Sequence, residues 1–217
     1  PVSRGLGDVY KRQVFDASHH TRIGADVLDR VREIKKKCLL AIKNMSTRQL
    51  TQILNSATVE LSQKQIIEQL LVPLLYEIGD QWCTGDLAVV QEHLASMVIR
   101  TYLNQVRLAY PIPLDAPYIV VTTPKGNQHE LGALMVATVA SQEGYNVAYC
   151  GLNLPSEEIA RVVKQHRACF VALSVVYPDD DPKVHEELIT LNEILPDSTQ
   201  LIVGGRAGES YSETLEK

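Results

Sequence analysis

The chain has 217 residues, 45% of them hydrophobic and 22% charged, with a formal net charge of −5. This length allows one large or two small domains, each with a hydrophobic core. The negative net charge excludes a general electrostatic attraction to nucleic acid. Four scattered cysteines without a Cys-x-x-Cys pair predict a reduced, cytoplasmic protein, and the lack of an apolar run of ~20 residues predicts no membrane span.

Both ends of the chain carry signs of an incomplete sequence. Residues 1–22 share no pattern with the rest, and the stretch from Asp8 to Gln13 resembles a translated sequencing-adapter end. We therefore expect this segment to be artefactual or disordered. The chain stops at Lys217 inside a predicted helix, which indicates a truncated C-terminus. Because the sequence is expected to be incomplete, a DNA-binding domain that precedes it is compatible with these signs.

Residues 23–110 predict an all-α domain. Apolar residues recur there at helical spacing in four segments with short connections, the pattern of an antiparallel four-helix bundle. The second helix begins at Ser46 and the fourth near Leu87. Ser62 is the expected N-cap of the third helix, and Pro73 within that helix predicts a kink.

A change of periodicity marks a second domain. Residues 111–117 contain three prolines and predict an extended linker. From residue 118 to 217, short apolar runs alternate with helical segments, which predicts a doubly wound parallel sheet. The expected fold class is α/β, with a four-helix cap domain followed by a Rossmann-like domain. Ligands of such sheets bind at the carboxyl ends of the strands.

His129, Ser174 and Gly204-Gly205 each follow a predicted strand at that edge. His129 is followed by Gly132, residues 133–173 then lead to Ser174, and residues 177–203 lead from Val176 to Gly204. Alone, His129 would be an ordinary loop histidine. In both its residue types and its gaps, however, the set resembles the cobalamin-binding signature Asp-x-His-x-x-Gly, Ser-x-Leu and Gly-Gly. The signature suits its ligand, because imidazole nitrogen binds cobalt and glycines admit a ligand close to the backbone.

The resemblance implies that His129 is the lower axial cobalt ligand of a cobalamin, in place of the cofactor's own dimethylbenzimidazole. The cofactor-binding residues expected in this domain are Asn127, Gln128, His129, Gly132, Ser174, Val176, Gly204 and Gly205. Asn127 departs from the family's Asp, and an uncharged amide predicts weaker electron donation to cobalt through His129. Val176 in place of Leu is a smaller departure.

A second set of residues lies in the helical domain. Trp82 closes the third helix, and residues 83–91 separate it from Glu92-His93 on the fourth. Alone, a single Trp predicts a core residue and Glu-His a solvated face. With the sequence around them, however, they resemble the cap of the light-sensing CarH-type regulators of the MerR family. The resemblance implies that Trp82, Glu92 and His93 cover the upper face of adenosylcobalamin.

One further departure concerns the upper cobalt position. In the light sensors a His follows this Trp and binds cobalt after photolysis, whereas this chain has Cys83. Either Cys83 as a thiolate, His93 or water would then take the upper position. Cys83 as a plain helix-end residue is an equally good interpretation.

The resemblance implies a cobalamin-binding photoreceptor module, not an enzyme, that regulates transcription through changed oligomer or partner contacts. Adenosylcobalamin is the expected cofactor and methylcobalamin an alternative. A second hypothesis is a corrinoid methyl carrier of a methyltransferase system. A third is an antirepressor that acts on a partner regulator, for which heme is another suitable tetrapyrrole. The expected partners are a second copy of the chain, and DNA only through a missing N-terminal domain or a partner regulator.

Overall fold

The computed structural model describes residues 25–215, so the predicted artefactual segment and the last two residues lie outside the described range. The chain divides into a helical unit that ends at Val106 and a second unit that begins at Arg107. Within residues 25–215, no helix combines the length and the apolar character needed to cross a bilayer.

The helical unit contains the predicted bundle of four helical segments. They are α1 (Ala25–Lys43), α2 (Thr47–Ala57), a continuous stretch formed by α3 (Gln63–Gln65), a π-helix (Ile66–Leu71) and α4 (Val72–Thr84), and α5 (Val89–Leu108). Their apolar stripes meet in a closed core. The fully buried side chains of this core include Cys38, Leu54, Ile66, Leu70, Leu74, Ile99 and Leu103.

Local sequence explains where the third helical stretch begins and why it is irregular. The Ser62 hydroxyl accepts the Gln65 N–H at 3.2 Å and the Gln65 side chain accepts the Ser62 N–H at 2.9 Å, which completes a capping box. Pro73 has no N–H to donate to the preceding turn. The irregularity takes the form of the π-helix Ile66–Leu71, whose wider turn lies just before this proline.

The second unit is built on the predicted parallel sheet. Its strands are β1 (Tyr118–Thr122), β2 (Asn146–Tyr149), β3 (Phe170–Ser174) and β4 (Gln200–Gly204), in the spatial order β2-β1-β3-β4. Between and after them lie α6 (Leu131–Gln142), α7 (Ser156–His166), α8 (Pro182–Ile194) and a 3-10 helix (Gly208–Leu215). All strand pairs are parallel.

Helices cover both faces of this sheet, so the predicted doubly wound class is confirmed. Ile119 and Val121 of β1 pack with α6 on one face, whereas Val120 packs with α7 and α8 on the other. The chain order reverses between β1 and β3, which are neighbours in the sheet. Crevices at such a reversal are the usual ligand sites of open α/β sheets.

Candidate functional site

His129 lies at this reversal, in the loop of residues 123–130 that joins β1 to α6. The loop turns at Gly126, whose φ of 92° suits a residue without a Cβ. The Asn127 N–H donates to the Pro124 carbonyl at 3.1 Å and closes the turn. Beyond the turn, the Gln128 and His129 side chains are exposed. The imidazole is thus presented at the carboxyl edge of the sheet by an ordered loop.

Asn127, two residues before His129, is fully buried and ties the loop to the end of β3. Its side-chain oxygen accepts the Val176 N–H at 3.4 Å. Its Nδ2 atom is buried and has no hydrogen-bond partner among residues 25–215. The amide oxygen therefore serves the backbone after β3, and the amide nitrogen is left for a partner from outside the described protein.

Ser174 and Gly132 approach each other closely where β3 ends and α6 begins. A Cβ at Gly132 would lie 2.4 Å from the Ser174 hydroxyl oxygen, so only glycine leaves room for this hydroxyl. Ser174 is 4% exposed, and its hydroxyl oxygen has no hydrogen-bond partner within the described residues. Buried hydroxyl groups without a hydrogen-bond partner are rare in folded proteins, so we expect a partner for Ser174 from outside the described residues.

Gly204 and Gly205 are adjacent at the end of β4, but a side chain would meet different surroundings at the two positions. Gly205 has a φ of 98°, and a Cβ there would lie 2.3 Å from the Val175 carbonyl oxygen. The fold itself therefore demands glycine at Gly205. At Gly204 a Cβ would meet nothing within 4 Å. Its missing side chain leaves open space beside the β3 and β4 ends, where Ser174 pairs with Gly204.

Six of the residues predicted from sequence therefore meet around the carboxyl ends of β1, β3 and β4, and His129 and Gln128 lie exposed beside them. The six are Asn127, Gly132, Ser174, Val176, Gly204 and Gly205. Two orphaned buried polar atoms and the open space at Gly204 suit a ligand that carries hydrogen-bonding groups into this edge. The exposed imidazole of His129 and the unpartnered polar atoms thus fit a cofactor that combines a metal with hydrogen-bonding groups.

Two residues that the sequence analysis did not single out anchor this loop. The Thr123 hydroxyl donates to the Asn127 carbonyl at 2.9 Å and accepts the Asn153 N–H at 2.8 Å. The Asn153 side-chain oxygen accepts the Gly126 N–H at 2.8 Å. The sequence does contain one signal for Thr123, which is a polar residue directly after a buried strand. Its partner Asn153 lies in another loop, so the sequence alone does not indicate the pairing.

Glu187 on α8 is a third anchor near the loop. Its carboxylate accepts the Ser156 N–H at 3.0 Å and the Ser156 hydroxyl at 2.5 Å, and lies 3.5 Å from the Lys125 ammonium. Partial burial acts to raise the pKa of Glu187, but the hydrogen bonds from Ser156 and the charge of Lys125 outweigh it and lower the pKa below its ordinary value. The ionised carboxylate is the form that fits this position.

This lowered pKa predicts a pH-dependent contribution to stability. A carboxyl group with a depressed pKa in the folded state stabilises the fold above its ordinary pKa, and this contribution is lost as the pH falls through the folded value. We expect Glu187→Gln to lower the free energy of unfolding by about 1–2 kcal/mol at neutral pH and by less in acid. Urea unfolding at several pH values measures this, with the exposed neighbour Glu186→Gln as control. An equal loss at all pH values would contradict it.

In the helical unit, Trp82 is 47% exposed at the end of α4, so it is not the core residue that a lone Trp suggests. Cys83 and His93 are also exposed. Glu92 accepts the Ser96 hydroxyl at 2.6 Å and lies 3.5 Å from the His93 ring. Val90, His93 and Met97 follow helical spacing, and together with Val89 they form an exposed, largely apolar stripe on α5.

Family models match both units. A model described as a B12 binding domain matches residues 117–217, and a second model with the same description matches residues 34–107. The first covers the sheet with His129, Ser174 and Gly204. The second covers most of the helical unit, including Trp82 and His93.

Two curated relatives from Myxococcus xanthus are transcriptional repressors. The chain is 28% identical over 183 residues to the HTH-type transcriptional repressor CarH, covering 84% of this chain and 61% of the relative. It is 28% identical over 170 residues to the HTH-type transcriptional repressor CarA, covering 77% and 56%. The chain thus spans about three fifths of the length of these relatives.

A solved structure shares the fold. The monomethylamine corrinoid protein of Methanosarcina barkeri superposes with a TM-score of 0.62 at 18% identity, covering 85% of this chain and 98% of that one. At this identity the likeness concerns the fold alone.

Proposed function

The chain belongs to the proteins built from B12-binding domains, and from this premise we propose that it is a light-responsive cobalamin sensor. Cobalamin binding follows from the family. Light response, the adenosyl form of the cofactor and the roles of individual residues are the proposal. The observation that carries it is the half-exposed Trp82, a bulky indole on the surface of the helical unit that is free to contact a bound cofactor.

On the lower side of the cofactor, His129 is the cobalt ligand. The imidazole is exposed on a loop held by buried Asn127, so it reaches a metal without rearrangement of the strands. Ser174 supplies a hydroxyl without a partner in the described chain to a polar atom of the nucleotide tail. Gly132 and Gly204 leave the space that the tail occupies.

In the helical unit, Trp82, Glu92 and His93 are the residues that would contact the adenosyl group of a bound cofactor. Glu92 Oε1 accepts the Ser96 hydroxyl and Oε2 lies 3.5 Å from the His93 ring, so this pair would present a carboxylate and an imidazole to a ribose hydroxyl. Trp82 and the exposed apolar residues Val89, Val90 and Met97 of α5 would shield the adenosyl group from water. Bound adenosylcobalamin supplies a cobalt–carbon bond that light breaks.

If light removed the adenosyl group, Trp82 and α5 would lose that contact. Cys83, exposed next to Trp82 in the chain, would offer a thiolate to the cobalt, with His93 as the other candidate ligand. The altered cap surface changes oligomer or partner contacts and so regulates transcription, as the repressor relatives suggest.

Absorption spectra before and after green light test the proposal. The protein is reconstituted with adenosylcobalamin in the dark, and its oligomeric state is measured in both conditions by light scattering. We expect a changed spectrum and a changed mass after illumination. An unchanged spectrum and mass contradict the sensor, and transfer of a cobalt-bound methyl group to a thiol acceptor would support the methyl carrier.

The departure at Asn127 predicts a weak lower ligand that one substitution improves. In Asn127→Asp one carboxylate oxygen would keep the Val176 N–H, while the other would stand in place of the unpartnered Nδ2 atom and offer a charged acceptor to the His129 ring. We expect roughly tenfold stronger cobalt–His coordination, seen as a larger His-on fraction in the absorption spectrum at a fixed neutral to alkaline pH. The same change in a His129→Ala background should have no such effect; an equal shift in both would contradict the pairing.

A further inference from the structure

A single buried hydroxyl joins the loop of residues 123–130 to the loop between β2 and α7. Thr123 is 0% exposed directly after β1. Its hydroxyl donates to the Asn127 carbonyl at 2.9 Å and accepts the Asn153 N–H at 2.8 Å. The hydroxyl therefore donates to one of these two loops and accepts from the other, in both cases with a backbone group as partner.

Asn153 completes the connection in the other direction. Its side-chain oxygen accepts the Gly126 N–H at 2.8 Å, and the N–H of the following Leu154 donates to the Thr123 carbonyl at 3.1 Å. Asn153 has a φ of 59°, a left-handed conformation that asparagine adopts more readily than most residues. The result is a closed network of Thr123, Gly126, Asn127 and Asn153.

The network consists of protein groups alone, so it defines the loop before any ligand arrives. A loop that is ordered only on binding loses conformational entropy at that moment, and this loss weakens the affinity. His129 lies two residues beyond the Asn127 carbonyl that Thr123 holds. Its backbone position is therefore set by this network.

We propose that Thr123 and Asn153 are positioning residues that hold the loop of residues 123–130 in its cobalt-binding conformation. They act through the backbone on both sides of Gly126 and do not touch the cofactor. This inference rests on the proposed role of His129 as the cobalt ligand. It adds that the strength of the cobalt–His bond depends on two side chains outside the binding signature.

The first test removes the hydroxyl and keeps the shape. Thr123→Val loses both hydrogen bonds at nearly constant volume, whereas Thr123→Ser keeps the hydroxyl. Protons and cobalt compete for the same imidazole nitrogen, so a weaker cobalt–His bond raises the pH of the His-off transition. With adenosylcobalamin bound, we expect about 10–100-fold weaker coordination in Thr123→Val, which raises the transition by about one to two pH units. Thr123→Ser should return it close to wild type.

The second test uses Asn153 and the cofactor-free protein. Asn153→Gly keeps the left-handed backbone but loses the acceptor, and Asn153→Asp keeps an acceptor oxygen. Hydrogen exchange of the Gly126 amide should accelerate in Asn153→Gly and stay slow in Asn153→Asp. The His-off transition should rise in pH only in Asn153→Gly. If Thr123→Val does not fold, this pair decides the question.

The outcomes separate the two claims. If the wild-type spectrum does not depend on His129, the proposed cobalt ligand is wrong. If it does depend on His129, but the His-off transition of both Thr123→Val and Asn153→Gly equals that of wild type, the positioning role alone is overturned. A rise in both, reversed in Thr123→Ser and Asn153→Asp, supports it, because a loss of global stability alone would not shift a ligation pH.

Discussion

Replacement of His129 by alanine is expected to abolish the His-on absorption spectrum of the cobalamin-loaded protein. The His129 side chain is exposed, so its removal deletes a ligand without opening a cavity. We expect affinity for adenosylcobalamin to fall by more than about 100-fold, because removal of a ligand costs more than the 10–100-fold typical of its outer partners. The thermal unfolding midpoint of the cofactor-free protein should stay unchanged.

Chemical rescue provides the matched control for this loss. In His129→Gly, added imidazole should enter the vacated position and restore the His-on spectrum, because the nitrogen ligand is supplied without its tether. Imidazole should not change the wild-type spectrum at the same concentration. A His-on spectrum in His129→Ala without imidazole would mean that another group binds cobalt.

Substitutions at Gly205 and Gly204 are expected to have opposite consequences for folding and binding. Gly205→Ala forces a Cβ to within 2.3 Å of the Val175 carbonyl oxygen at a φ of 98°. We expect it to lower the free energy of unfolding by about 2–4 kcal/mol, from backbone strain and overpacking together. Gly204→Ala meets nothing within 4 Å, so the cofactor-free protein should unfold like wild type. Urea unfolding without cofactor measures both.

Cobalamin titration of the same two variants tests the use of the space at Gly204. If the nucleotide tail runs beside Gly204, the added methyl group should weaken binding although folding is normal. Undiminished affinity of Gly204→Ala would remove Gly204 from the proposed tail site. Wild-type stability of Gly205→Ala would instead show that the β4 end relaxes more easily than its backbone contact suggests.

The agreement between sequence and structure is closest where periodicity carried the prediction. Strands and helices alternate in residues 118–217 as the pattern predicted, because burial of a strand or of a helix face imposes a regular spacing on the apolar residues. The capping box at Ser62 was equally local. At Pro73 the sequence indicated an irregularity, but the choice of a π-helix depended on packing around Ile66–Leu71.

The residues of the candidate site also divide into those that the sequence predicted and those that only the structure revealed. His129, Ser174 and the glycine pair were recognisable because their residue types and gaps resemble a signature, which is a property of the linear chain. The exposure of Trp82 was not predictable from its position alone, since a single Trp in a bundle is usually buried. The anchors Thr123 and Asn153 were missed because residues 124–152 separate them along the chain, and only the pairing of β1 with β2 brings their loops together.

The sequence by itself determined the two kinds of unit and the sheet edge at which the candidate site residues collect, and it singled out His129 as the proposed ligand. The tertiary structure decided what each of these residues is free to do. Close approach of β3 and β4 commits Gly205 to the backbone, whereas Gly204 stays open. Burial leaves Ser174 and the Asn127 amide nitrogen without partners in the described chain. Such differences depend on neighbours distant in sequence, because hydrogen bonds and steric contacts act over a few ångströms of space.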